Sequence, residues 1–295
     1  MKKFSKLLVR LLVLVMTAVV CLSFTACEDI KKLEVTVSVY NAETKQVEEE
    51  VITIDLYRHL APKTVDTILG YASEGYYDNS LIYKGNAISS ALMLGDLEYT
   101  ANSDSEKNGQ VSFKPVKPQI KGEFENNGVK GSNLLNKEGS VSLFRTWVND
   151  LNEYKTSDSA MDSGRATWFM PTSTLSQYDK YFCVFAQIDL TDEANRLTLD
   201  KINSVFATQD VTVVEYTVYY TGEYDVEKAD NNYGLVANCV ETSLYNEMEE
   251  GDKQNVFKPD SEKGEFAMYG ANTIRVPLVK ENRVSAASIK SIKVI

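Results

Sequence analysis

The stretch Val51–Lys84, VITIDLYRHLAPKTVDTILGYASEGYYDNSLIYK, constrains the fold more than any other part of this chain. Val51–Tyr57 is β-branched and apolar, as a largely buried strand requires. Pro62 stands where a first helical residue belongs, because its missing N–H is one that a helix start leaves unpaired anyway. Val65, Ile68, Leu69 and Ala72 then recur at helical spacing on one face, and Gly75 follows them as a stop. Gly75-Tyr76-Tyr77-Asp78 leads into a second strand that ends at Lys84. The residues of the strand and helix are expected to pack.

In order and wording this unit resembles the start of a cyclophilin-type peptidyl-prolyl isomerase. That family has a strand, an APKTV-like helix start, a GYYD-like turn and a strand carrying Phe-His-Arg, where this chain has Ile82-Tyr83-Lys84. Further on, Ala91–Asp96 resembles the family's apolar strand ending in Gly-Asp, and Ile120–Gly128 a segment before the central strand. Glu138–Leu143 is similar to the central strand itself. Ala166–Met170, Asp179–Ile188, Arg196–Phe206 and Ser288–Ile295 take the places of two later strands, a helix and the last strand. The resemblance implies a mainly β fold: a closed antiparallel barrel of about eight strands with two capping helices. Polar Tyr99–Gln110, within about 99–118, and an α/β block at about 208–272 read as insertions into one domain spanning 33–295. A separate C-terminal domain is the competing organisation.

The first 26 residues read as an export signal. Lys2, Lys3, Lys6 and Arg10 precede a short apolar core, Leu11–Val20, too short for a comfortable membrane crossing. Phe24-Thr25-Ala26-Cys27 resembles a bacterial lipobox, which implies lipidation of Cys27 and a short tether at 27–32. Two acyl chains hold a protein to a bilayer far better than one. The expected location is the extracytoplasmic face of a bacterial cell membrane, touched through the lipid alone. Without the signal the formal charge falls from −11 to about −15, which disfavours nucleic acid and anionic headgroups as partners. Cys183 lies in an apolar run and is expected to be a buried thiol; a disulfide with Cys239 stays open.

Rotation about an X–Pro bond faces a barrier of roughly 18–20 kcal/mol, and lowering it needs no metal, cofactor or covalent step. By the resemblance, the family uses an arginine fork, a neighbouring glutamine and an apolar proline pocket. Here Lys84 takes the arginine's place, and an ammonium lacks the planar fork of a guanidinium. Met93 falls at the glutamine. Phe169 matches a pocket phenylalanine, while Tyr178 replaces a leucine, Phe182 a histidine, Gln177 a tryptophan, and Ser90-Ala91 a Phe-Met pair. Phe144 replaces a small residue on the groove wall. Two functions follow: a weak isomerase acting on prolyl peptides or unfolded exported proteins, or a non-catalytic barrel that binds prolyl or extended peptides or a cell-surface partner.

Other features carry less. His59, the only histidine, is expected to be exposed beside the helix start. Asp225–Asp230 and Glu247–Asp252 lack the spacing of a calcium loop. Tyr216, Tyr219, Tyr220 and Tyr224 could stack on a peptide or glycan, but alternation through Val211–Tyr220 turns half of that strand toward the protein.

Overall fold

The computed structural model describes residues 31–86, 88–129, 134–145, 161–221, 236–249 and 272–295. The export signal, Cys27 and the calcium-loop candidates other than Glu247–Glu249 lie outside these residues, as does Tyr224.

Eight strands close into an antiparallel barrel. They are β1 (Lys32–Asn41), β2 (Gln46–Leu56), β3 (Ser80–Gly85), β4 (Ala91–Thr100), β6 (Ser140–Leu143), β7 (Trp168–Pro171), β8 (Cys183–Ile188) and β12 (Ala287–Val294). The ring runs β3-β12-β1-β2-β8-β6-β7-β4 and shuts by the pairing of β3 with β4. One cluster, with Ile54, Ile82, Leu94, Trp168, Phe185 and Ile289 at 2% exposure or less, fills the barrel. Helix α1 (Pro62–Ser73) packs on β12 and β8, and α2 (Glu193–Ser204) on β2 and β1.

Local chemistry sets these elements. Pro62 opens α1, and Gly75 leaves it at φ +71. The start of α1 is capped from afar: Glu123 accepts from the backbone N–H of Lys63 and Thr64 at 3.1 and 2.8 Å. Asp192 caps α2 by accepting from Ala194 and Asn195. Gly95 sits at φ +110, and a Cβ there would meet the carbonyl oxygen of Ala166 at 2.6 Å. That explains the glycine of the Gly-Asp pair in steric terms.

The remaining strands build outward from β3 and β4. Strand β5 (Gln110–Phe113) pairs with the far half of β4, so part of the 99–118 block is a hairpin. Strand β9 (Val211–Thr221) pairs with β10 (Val236–Glu241) and β11 (Asn272–Val279), and β11 pairs with β3. The added sheet thus runs past residue 272, to Val279, and is hydrogen-bonded to the barrel. The weak helical pattern over Tyr233–Met248 resolves differently: β10 is drawn into a ladder with β9, and only the short α3 (Thr242–Glu247) is helical. Among the described residues no helix is long and apolar enough to cross a membrane.

Candidate functional site

Strand pairing brings most of the expected site residues together. Met93 on β4 is directly opposite Phe169 on β7. Phe182, just before β8, meets Phe169 edge-on at 5.2 Å and Tyr178 at 5.3 Å, while Phe144 stacks against it at 6.5 Å. Met93, Phe169, Tyr178 and Phe182 are 4, 0, 9 and 2% exposed. The side chains matched to the proline pocket thus pack against one another and expose little of themselves. Ser90 stays exposed, and its carbonyl accepts from the backbone and hydroxyl of Thr172.

Lys84 is not part of this group. Successive residues of a strand face opposite ways, and on β3 Ile82 enters the barrel core while Tyr83 joins the outer cluster. Tyr83 is the residue across from Met93. The Lys84 ammonium lies 4.6 Å over the ring of Phe206, in the 3₁₀ turn Val205–Ala207 after α2. Phe206 packs against the barrel core. Tyr83 donates to Asp96 Oδ1 at 3.0 Å. Burial raises the pKa of Asp96 from its ordinary value, against the pull of hydrogen bonds from Tyr83 and Thr167.

A cation does stand near the aromatic rings, one the sequence reading overlooked. Arg145 is 3% exposed; its Nε donates to the Tyr181 carbonyl at 2.7 Å. Its guanidinium lies 5.0 Å from the centre of Phe124 and 5.1 Å from that of Phe182. Burial lowers its pKa to about 10, so it stays charged at neutral pH. An arginine ending the apolar run Val141–Phe144 was the available signal.

The outward face of β3 and β4 is also covered. Leu81, Tyr83, Met93 and Leu97 share one buried cluster with Val214, Tyr216 and Val218 of β9 and Ile274, Val276 and Leu278 of β11. The hairpin closes the far side, where Asn108 donates to Glu241 at 2.7 Å and the Tyr216 hydroxyl donates to the Gly109 carbonyl at 2.9 Å. Strands β3, β11, β9, β10, β5 and β4 thereby wrap a second small core that shares the β3–β4 wall with the barrel. Of the tyrosines expected to alternate, Tyr216 packs inside at 2% exposure, and Tyr219 meets Tyr245 at 5.3 Å.

Two surface grooves lie elsewhere. One of about 720 Å³ runs between β2 and α2 at Val51 and Leu197; another of about 500 Å³ lies near Tyr57 and Gln187. Neither includes a residue of the aromatic cluster. His59 is exposed, edge-on to Tyr57 at 6.0 Å. Cys183 lies in the barrel core and Cys239 against the second one; both are free thiols, which removes the disulfide left open by the sequence. Among the described residues no group of three or more His, Cys, Asp or Glu side chains could hold a metal.

The closed eight-stranded antiparallel barrel with its two helices is the architecture that the resemblance implied. The family model for cyclophilin-type peptidyl-prolyl cis-trans isomerase/CLD matches residues 39–221. The chain belongs to that family. Among solved structures it is similar to a cyclophilin-type peptidyl-prolyl cis-trans isomerase of Cryptosporidium parvum, at 13% identity and a TM-score of 0.35 over 56% of this chain and 84% of that one. The same Cryptosporidium protein in the presence of the dipeptide Ala-Pro matches at 14% identity and a TM-score of 0.34, with the same coverage. No curated protein matches the chain.

Proposed function

We propose that this protein is an exported lipoprotein, held at the outer face of a bacterial cell membrane through Cys27, whose cyclophilin fold serves as a partner-binding module with little or no isomerase activity. The single observation behind the loss of catalysis is the site itself. Tyr83, not a cation, faces Met93, and that wall is buried beneath β9 and β11. A catalyst must lower the barrier by about 1.4 kcal/mol for each tenfold in rate. Among the described residues no guanidinium stands across from Met93; the one near the rings, Arg145, is itself buried over Phe124 and Phe182.

Export and anchoring rest on the basic start, the short apolar core and Thr25-Ala26-Cys27. With the side chains matched to the prolyl pocket packed against one another, the reading favours a cell-surface partner over a prolyl peptide as ligand. A protease-coupled assay on an Ala-Pro peptide tests the catalytic half. Wild type, Lys84→Ala, and Lys84→Arg combined with Met93→Gln are all expected near the uncatalysed rate. A readily measured wild-type rate that disappears in Lys84→Ala would restore the weak-isomerase reading. Membrane fractionation tests the anchor: Cys27→Ala should release soluble protein or leave unprocessed precursor, and unchanged membrane retention with normal cleavage would exclude lipidation.

A further inference from the structure

Lys84, displaced from the aromatic cluster, stands beside another cation. Arg275 on β11 is its direct cross-strand partner. Like charges in that position repel, and strands ordinarily avoid them. Among the described residues neither side chain has a carboxylate within ion-pair distance. The Nε of Arg275 is buried without a hydrogen-bond acceptor. A buried donor left unmade is expensive, more so when it is charged. The Lys84 amine is half-buried over Phe206, and burial followed by the charge of Arg275 lowers its pKa.

The other neighbour in this row is Glu215 on β9, opposite Arg275 on its far side. Glu215 is exposed and makes no ion pair with Arg275. The arrangement is thus two adjoining cations, one ring face and one unsatisfied donor on a chain whose formal charge is −11. Repulsion, burial and the unmade hydrogen bond all weigh against this pair of cations. A single oxyanion would offset the repulsion and accept the unmade hydrogen bond.

We propose that Lys84 and Arg275 bind an oxyanion, a carboxylate or phosphate group, across the β3–β11 ladder beside Phe206. The guanidinium supplies directional donors and the ammonium a compact charge, a combination suited to two oxygens of one group. Phosphate, with the greater charge, binds more tightly than acetate. The site is independent of isomerase chemistry, because the aromatic cluster lies on the other face of β3.

Titration calorimetry and thermal unfolding of the full chain in detergent test this. The probes are sodium phosphate, sodium acetate and water-soluble dihexanoyl phosphatidate, each against sodium chloride at matched ionic strength. Phosphate is expected to raise Tm saturably, beyond chloride. Lys84→Gln and Arg275→Gln should each weaken its binding about tenfold or more, as befits loss of a charged hydrogen bond. Glu215→Gln should strengthen binding by removing a repelling charge. Tighter binding of the phosphatidate than of free phosphate would assign a lipid headgroup as the source, and the reverse a soluble anion. No saturable response to any of the three probes, or an equal response in wild type and both Gln variants, would overturn the proposal.

Discussion

Along β2 the residues that point away from the barrel, Val47 and Val51, are 40 and 46% exposed, whereas the outward Leu81, Tyr83 and Met93 on β3 and β4 are 0, 3 and 4% exposed. Inward Ile52, Ile54 and Leu56 on β2 are as dry as inward Ile82, Leu92 and Leu94 on β3 and β4. What differs is a covering layer. On β2 the outward side meets water or the flank of α2, while on β3 and β4 it meets β9 and β11. A barrel wall presents a binding surface only while its outer side stays uncovered. Here the wall that carries the residues matched to the family's site is the covered one, and membership in the fold does not by itself establish the activity.

The largest expected effect separates the walls by stability. Phe169→Ala should destabilise the protein by about 3–5 kcal/mol, because a fully buried ring leaves a cavity. Val51→Ala on the exposed wall should stay within about 0.5 kcal/mol. Denaturant unfolding of both variants checks this, and similar losses would mean that the roof over β3 and β4 contributes no packing.

Next is Gly95→Ala, expected to cost about 1–3 kcal/mol for its left-handed backbone, with the contact to the Ala166 carbonyl adding to that. Gly70→Ala on α1, where an added Cβ meets nothing within 4 Å, is the control and should be neutral or stabilising.

A smaller effect concerns pH. The pKa of Asp96 is raised in the folded state by burial. Its contribution to stability is then fully present below the ordinary carboxylate range and is lost as pH rises through the raised folded value. Asp96→Asn keeps an acceptor for Tyr83 and should remove that component of the slope. Unfolding free energies compared between acidic and neutral pH would show it, and an unchanged slope would place the Asp96 carboxylate in contact with solvent.

The smallest signal is a silent one. Burial pushes both thiols, Cys183 and Cys239, up to about 12. Neither should be alkylated by iodoacetamide in the native state at mildly alkaline pH, and both should react in denaturant. Native labelling of Cys239 by mass spectrometry would show that its side of the added sheet opens.

Much of the frame was legible in the sequence. Pro62, the apolar repeat through Ala72, and Gly75 mark α1 from end to end. The continuous apolar run Ala91–Leu94 already implied a strand buried on both faces, the pattern of a covered wall. Alternation in β9 also held, with Val214, Tyr216 and Val218 inside and Glu215 outside, although Thr217 is buried as well. The parity of β3 was not legible. Matching Ile82-Tyr83-Lys84 to a three-residue motif by residue type leaves a one-residue ambiguity, and one residue exchanges the two faces. Glu123 and Arg145 were hidden for another reason. Their partners, the start of α1 and the rings of Phe124 and Phe182, are set by tertiary packing that no local pattern encodes.

The first strand of the barrel is closed by the last, with Leu33 paired to Val294 across almost the whole described chain. Such remote contacts form slowly, since a long loop must be ordered before they repay anything. A chain delivered from its N-terminus must hold one edge of β1 unsatisfied until the eight residues of β12 arrive. An unpaired edge invites pairing with other chains. Strand β12 thus works as a latch: a copy truncated before Ala287 would be left with open strand edges on β1 and part of β3, a state prone to sticking to its own kind.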